Sequence, residues 1–317
     1  MRVLVTGATG FVGKALLDNL STDIGNDCLG IVRSYPQDSP ANHNLHVVRD
    51  ISDSVAWGDL LSNRDVVIHT AARVHVMCDK GGGSLREFHQ VNVIGTLALA
   101  RLAAAAGVHR FVFISTVKVL GEFTCESQPF TAISPPNPAG AYAKSKYEAE
   151  LGLMQISVET GMDIVIIRPP LVYGPGVKAN FLRMIHWVER GIPLPLGAIH
   201  NKRSFVALDN LIDLIVTCID HPAAANQVFL AGDGEDLSTS DLLRGIARAM
   251  GKPSRLIPFP ERFLRLGAKL IGKKALADRL LGSLQVDISK ARDLLGWEPP
   301  LSVEEGLKRC FEAENNR

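Results

Sequence analysis

Two short patterns in this 317-residue chain combine residue types and spacings that could do chemistry. In Tyr142-Ala143-Lys144-Ser145-Lys146 a phenol and an ammonium stand four positions apart, so a helix would carry both on one face. A free tyrosine titrates near pH ~10 and is a poor proton donor or acceptor at neutrality, but a neighbouring ammonium stabilises its phenolate. The pair therefore reads as a tunable acid/base. The second pattern, Gly7-Ala8-Thr9-Gly10-Phe11-Val12-Gly13, lies between an apolar run and a helical one at the start of the chain. A turn of this kind lets the backbone approach a pyrophosphate, which then rests on the amide groups at the helix N-terminus. In isolation it would be only a glycine-rich turn; its place between strand and helix makes it a dinucleotide site. A third group follows Phe111-Val112-Phe113-Ile114, where Ser115 and Thr116 offer a hydroxyl to the substrate oxygen that Tyr142 would protonate. Neighbouring strand residues face opposite ways, and Thr116 is taken as the one facing the site.

The cofactor's identity turns on the end of the second strand. An Asp or Glu there would accept hydrogen bonds from the adenosine ribose and select NAD. Here the strand ends in Arg33-Ser34, and a guanidinium matches a ribose phosphate in charge and fork geometry. Arg33 thus favours NADP(H) over NAD(H), unless it is merely a solvated surface residue. Asp50-Ile51, closing the third strand, would lie beside the adenine.

Positioning these groups requires a sheet. Short apolar runs at 3–6, 28–33, 46–49, 66–70, 110–115 and 163–168 alternate with helical segments at 11–20, 52–61, 84–106 and 139–160. That alternation predicts an α/β fold, a Rossmann-type doubly wound parallel sheet with crossover helices on both faces. After Arg168, prolines and glycines break the pattern, and a smaller substrate-binding lobe is expected with helices at 177–190, 209–220, 238–250, 261–271 and 303–312. The division is then 1–168 for the dinucleotide domain and 169–317 mostly for the lobe, with some segments returning to the core.

Composition removes other classes. Lysine and arginine number 34 against 33 acids, a net +1, and aromatics are 6%, so neither a basic field nor stacking platforms point to nucleic acid. Five scattered cysteines without a CxxC pair argue against a disulfide framework or thiolate metal site, and His43 and His46 have no third ligand nearby. The N-terminus shows no secretory signal, and the most apolar helix is too short to span a bilayer, which fits a reducing cytoplasm. The basic amphipathic stretch 262–271 is expected to be a lid or surface helix rather than a membrane contact.

Taken in order, Gly7-x-x-Gly10-x-x-Gly13, Asp50-Ile51, His69-Thr70-Ala71-Ala72, Asn92-Val93-x-Gly95-Thr96, Ser115-Thr116, Tyr142-x-x-x-Lys146, Arg168-Pro169-Pro170-x-x-Tyr173-Gly174-Pro175 and Asp287-Ile288-Ser289-Lys290-Ala291 resemble the extended short-chain dehydrogenases/reductases of the NAD-dependent epimerase/dehydratase family. The resemblance covers nearly the whole chain. It implies that Thr116, Tyr142 and Lys146 are catalytic, that Lys146 also holds the nicotinamide ribose, and that Ala71 and Ala72 line the cofactor. It implies a nucleotide-sugar substrate touched by Asn180 and Arg203 as well as by Thr116 and Tyr142, and a homodimer formed through the helices at 84–106 and 139–160. Many relatives have an arginine just before the Asp-Ile-Ser-Lys run, where this chain has Gly282-Ser283-Leu284-Gln285.

Within the family, 4,6-dehydratases carry an Asp-Glu pair after the catalytic hydroxyl; this chain has Val117-Lys118. Dehydration is therefore not expected. A 4-epimerase keeps its cofactor through two half-reactions, whereas a 4-keto reductase exchanges it each cycle and benefits from reduced NADP. Arg33 favours the reductase, and the segment from Ser115 to Glu122 resembles reductases that make UDP-N-acetylquinovosamine or UDP-N-acetylfucosamine for surface polysaccharide such as the O-antigen of lipopolysaccharide. A UDP-glucose or UDP-GlcNAc 4-epimerase with tightly bound NAD is the alternative. Relatives that have become redox-sensing binding proteins lack the tyrosine that this chain keeps.

Overall fold

The computed structural model describes residues 1–35, 44–74, 83–125, 128–270 and 272–312. His43 and Cys78 fall outside this set, as does the side chain of Asn180.

The strands are β1 (Arg2–Thr6), β2 (Asp27–Val32), β3 (Leu45–Val47), β4 (Val66–His69), β5 (Arg110–Ile114), β6 (Asp163–Arg168), β7 (Leu171–Tyr173), β8 (Arg203–Ala207), β9 (Gln227–Leu230) and β10 (Asp236–Leu237). The helices are α1 (Phe11–Leu20), α2 (Gly58–Leu61), α3 (Gly83–His89), α4 (Thr96–Ala105), α5 (Gly140–Thr160), α6 (Ala179–Glu189), α7 (Leu208–Asp220), α8 (Thr239–Ala249), α9 (Glu261–Leu270), α10 (Lys274–Leu281), α11 (Ser289–Leu295) and α12 (Val303–Glu312). Seven strands form a parallel sheet in the order β3-β2-β1-β4-β5-β6-β9.

Parallel strands covered on both faces are apolar on both faces, and β1 shows it. Val3 and Val5 join Leu16, Leu214 and Ile215 in the layer under α1 and α7, while Leu4 joins Trp57, Leu99 and Leu153 under α4 and α5. Each such side chain contributes roughly 1.5–3 kcal/mol of burial. Chain order reverses between β1 and β4, so the carboxyl ends of these two strands open a crevice, the usual ligand site of such sheets.

Several elements depart from the sequence reading: the helix expected over 52–61 is a 3-10 turn, Ser54–Trp57, leading into the short α2, and α10 and α11 are additional helices. The helix expected over 84–106 is interrupted by a π-helical turn, Gln90–Gly95, which turns Asn92 inward. The seventh strand, β9, was not expected; four residues after a left-handed Asn226 carry too short a pattern to read, yet they pair in register with β6. A second sheet, β10-β8-β7, forms after Arg168, where the sequence pattern predicts helices and shorter elements but no named strand. It supports a lobe core of Tyr173, Phe181, Phe205, Leu243, Ile246 and Leu307, built from α6, α8 and α12.

Candidate active site

The first glycine turn is shaped by close approach. Gly7 has φ +70°, and a Cβ there would stand 2.8 Å from the amide nitrogen of Ala71. A Cβ on Gly13 would meet the Gly7 carbonyl oxygen at 2.3 Å and Thr70 Oγ1 at 2.6 Å. Only glycines let α1 begin this close to β4. Gly10 caps α1 without a side-chain hydrogen bond, and no acid occupies the first turn. The amide end of α1 therefore presents its positive end to a diphosphate, so this turn fits a dinucleotide. Phe11 and Val12 point into the packing, Phe11 touching both the sheet layer and the lobe core. Ala71 and Ala72 leave β4 at the same edge, half-buried.

Arg33 directly follows β2 at this edge, exposed and without a hydrogen bond or ion pair to any described residue. Asp50 uses one carboxylate oxygen for the Ser52 amide at 2.9 Å and the Ser52 hydroxyl at 2.8 Å, which lowers its pKa. Ile51 is fixed beside it by Trp57, whose indole N–H donates to the Ile51 carbonyl at 3.0 Å.

Thr116 and Ser115 separate as strand alternation predicts. The Ser115 hydroxyl donates to Glu150, behind the site, while Thr116 opens into the cleft between sheet and lobe. Thr116 Oγ1 accepts from the Lys118 amide at 3.3 Å and starts a short 3-10 turn.

Tyr142 and Lys146 lie on the inner face of α5. Lys146 is only 2% exposed, its Nζ 4.0 Å above the Phe113 ring of β5 and without a hydrogen-bond acceptor among the described residues. Burial lowers its pKa to about 7 against the opposing pull of Glu150. An unpaired buried ammonium beside the crevice suits a cofactor hydroxyl. The Tyr142 phenol packs edge-on to Phe88 and is pushed up to about 12 by burial. The expected depression by Lys146 is absent, because the ammonium lies over Phe113 and desolvation governs the phenol instead.

The site rests on buried polar groups that were not assigned a role from sequence. His69 hydrogen-bonds Thr6 Oγ1 at 2.7 Å and Thr96 Oγ1 at 3.0 Å, and burial holds its pKa at about 3, so the ring is neutral. Asn92 receives the Arg73 amide at 2.8 Å and donates to Ser145 Oγ at 3.0 Å, tying α5 to the loop after β4. Glu150 is held by Arg168 in a two-point ion pair, at 2.6 and 3.1 Å. Its only sequence signal is an acid one turn beyond Lys146 on an otherwise buried helix face.

The cleft below Thr116 has a volume of about 230 Å³. Its charged lining is four cations, Lys118, Arg183, Arg203 and Arg279, against one acid, Glu122. Arg203 leads β8 and is anchored to the Gly282 carbonyl at 2.9 Å; burial lowers its pKa. Lys118 is lowered too, by burial and then by Arg279, with Glu122 opposing. No arginine stands at 282–285, but Arg279, three positions earlier on α10, lines the cleft with Arg203. Short-range spacing hid it because the α10 hairpin folds it back across the cleft. Lys146 stands over Phe113 of β5, the strand that leads to Thr116, whereas Arg33 follows β2 and Asp50 follows β3. Asn180 lies at the start of α6. Among the described residues no three His, Cys, Asp or Glu side chains converge to hold a metal, and no helix is long and apolar enough to cross a membrane.

Comparison with known proteins places this geometry. Residues 3–232 match the model of the NAD dependent epimerase/dehydratase family. A UDP-glucose 4-epimerase of Vibrio cholerae is 46% identical over 99% of this chain and 97% of its own. The crystal structure of a UDP-glucose 4-epimerase from Thermotoga maritima, with UDP-glucose, superposes with a TM-score of 0.80 at 24% identity, covering 100% of this chain and 99% of that one. A dTDP-glucose 4,6-dehydratase from Streptomyces venezuelae, crystallised with NAD, gives 0.77 at 26% identity, covering 100% and 98%. With the glycine turn, the α5 tyrosine and lysine and the cation-lined cleft in one fold, the chain belongs to the NAD dependent epimerase/dehydratase family.

Proposed function

We propose that this enzyme transfers a hydride at C4 of a nucleotide-linked hexose, and that its net reaction is reduction of a UDP-2-acetamido-2,6-dideoxy-4-keto hexose to UDP-N-acetylquinovosamine or UDP-N-acetylfucosamine. The observation that carries the reading is the opening of Thr116 into a cleft with three more cations than acids, a fit for a sugar diphosphate. The nicotinamide cofactor, when bound, supplies the hydride. Tyr142 Oη gives its proton to the C4 oxygen as the carbonyl becomes an alcohol, Thr116 Oγ1 hydrogen-bonds the same oxygen, and Lys146 orients the cofactor ribose and supports the phenolate that Tyr142 leaves behind. A phenol held near 12 is protonated at neutrality, the form that reduction requires. Arg203 and Arg279 hold the diphosphate, and Asn180 remains the further substrate contact that the family resemblance implies. The Gly7–Gly13 turn, Arg33, Asp50, Ile51, Ala71 and Ala72 hold the dinucleotide. A homodimer would cover the exposed Ile94, Leu151 and Val158 on the α4–α5 side. The 4-epimerase reading is favoured by one observation, the 46% identity to the V. cholerae enzyme of that name.

The test pairs cofactor absorbance with product NMR, first on the 4-keto sugar and then on UDP-GlcNAc and UDP-glucose. Reduction consumes one NADPH or NADH per sugar. Interconversion at C4 without added cofactor, together with no consumption on the keto sugar, makes the enzyme an epimerase. In the same assay Arg33→Ala should weaken NADPH binding by about 1.5–3 kcal/mol and leave NADH nearly unchanged. Equal losses would remove Arg33 from the phosphate.

A further inference from the structure

Helix α9 has no buried residue. Leu264 and Ala268 turn partly toward the lobe core, but Phe263, Leu266 and Leu270 form a second apolar stripe, 48%, 54% and 79% exposed. Their spacing of three and four places them on one outward face. Exposed Ile257 and Phe259 extend the stripe, the Phe259 ring standing edge-on to Phe263 at 6.1 Å. Cations flank it. The Arg262 guanidinium lies 4.9 Å above the Phe263 ring, and Lys269, Lys273 and Lys274 are exposed and unpaired with any described residue. Arg265, by contrast, is committed to Glu261, Asp278 and the Leu281 carbonyl, which pins α9 against α10. Seven lysines and arginines and one acid fall within residues 252–274. This segment of 23 residues therefore carries +6 in a chain of +1, leaving −5 on all the rest.

We propose that the α9 face docks peripherally on an anionic phospholipid bilayer, with Phe263, Leu266 and Leu270 entering the headgroup boundary and Arg262, Lys269, Lys273 and Lys274 meeting lipid phosphates. Charge complementarity selects this occupant. A second copy of the chain meeting the same face would set +6 against +6. A convex helix with bulky apolar residues between cations suits a deformable anionic plane, whose attraction adds to apolar insertion. The docking is independent of the reaction assigned to the cleft, and none of these residues lines it.

Co-sedimentation of the whole protein with vesicles tests this. Phosphatidylcholine vesicles containing roughly 30% phosphatidylglycerol should pellet it at low salt, pure phosphatidylcholine should not, and salt well above ~0.15 M should release it. Phe263→Ser with Leu266→Ser, and separately Lys269→Glu with Lys273→Glu, should each lower apparent affinity at least tenfold while circular dichroism and melting temperature stay unchanged. Should a double variant unfold, Phe263→Trp gives a second readout: its added emission should shift blue and be quenched by brominated lipid. No pelleting of the wild type, binding that survives both double variants, or capture by polyglutamate without vesicle binding would overturn the proposal, the last in favour of an acidic protein partner.

Discussion

The glycine-turn edge of the sheet and the cleft beneath Thr116 are the two places proposed to receive phosphate, and they offer it different parts. At the first, the backbone works: Gly7, Gly10 and Gly13 clear space, α1 points its amides outward, and Arg33 stands at the periphery. Beneath it lies the neutral Thr6–His69–Thr96 chain. At the second, side chains work: Lys118, Arg183, Arg203 and Arg279 converge on a cleft with one opposing acid. Backbone amides tolerate no Cβ beside them and, Arg33 apart, need no side-chain charge. A side-chain site tolerates truncation sterically and loses affinity with each cation.

The proton donor proposed for the reaction is Tyr142, and its removal should have the largest effect. Tyr142→Phe should reduce turnover by about 10²–10⁴ while cofactor and substrate still bind, since neither site depends on the phenol. Steady-state rates with cofactor titrations check this; activity within threefold of wild type would remove Tyr142 from the proton transfer.

The backbone side is broken by one methyl group. Gly13→Ala sets a Cβ against the Gly7 carbonyl and Thr70 Oγ1, and should cost about 2–4 kcal/mol of stability and at least tenfold in cofactor affinity. Thermal melts with and without cofactor measure both.

On the cleft side, Arg203→Ala and Arg279→Ala should each raise substrate KM by about 10–100-fold, the scale of a charged hydrogen bond, with cofactor affinity changed less than twofold. Substrate KM should also rise with salt more steeply than the cofactor's dissociation constant. Parallel losses in both ligands would erase the distinction between the regions.

The smallest effect concerns the neutral support under the cofactor edge. His69 titrates at about 3 folded against about 6.5 unfolded, so it contributes nothing to the pH dependence above pH ~6.5. As pH falls below that value the unfolded chain takes the proton first, and stability declines until the folded pKa is reached. Between pH 7 and 5 the wild type should lose about 2 kcal/mol that His69→Gln does not, read from urea midpoints. An identical decline in both would show that another group carries the acid sensitivity.

Parts of the molecule also differ in how local their determinants are. The helices at 11–20 and 303–312 and the strand at 163–168 were legible to the residue, because an uninterrupted apolar period of one kind sets each. The glycine turn and the placing of Tyr142 and Lys146 on one helix were legible because steric clearance and one helical turn need only neighbours in the chain. Strand parity likewise separated Thr116 from Ser115.

Other features depended on contacts between distant segments. The π-helical turn at Gln90–Gly95 forms where Asn92 can satisfy the Arg73 backbone, a partner 19 positions away. Arg279 became a cleft residue only when α9 and α10 folded as a hairpin, and β9 became a strand only when β6 offered an open edge. Desolvation decided the protonation of Tyr142, Lys146 and His69, overriding the pairing suggested by sequence spacing. Local sterics and periodicity are written in adjacent residues; burial and converging charge belong to the folded chain, because each is a sum over neighbours that only tertiary structure supplies.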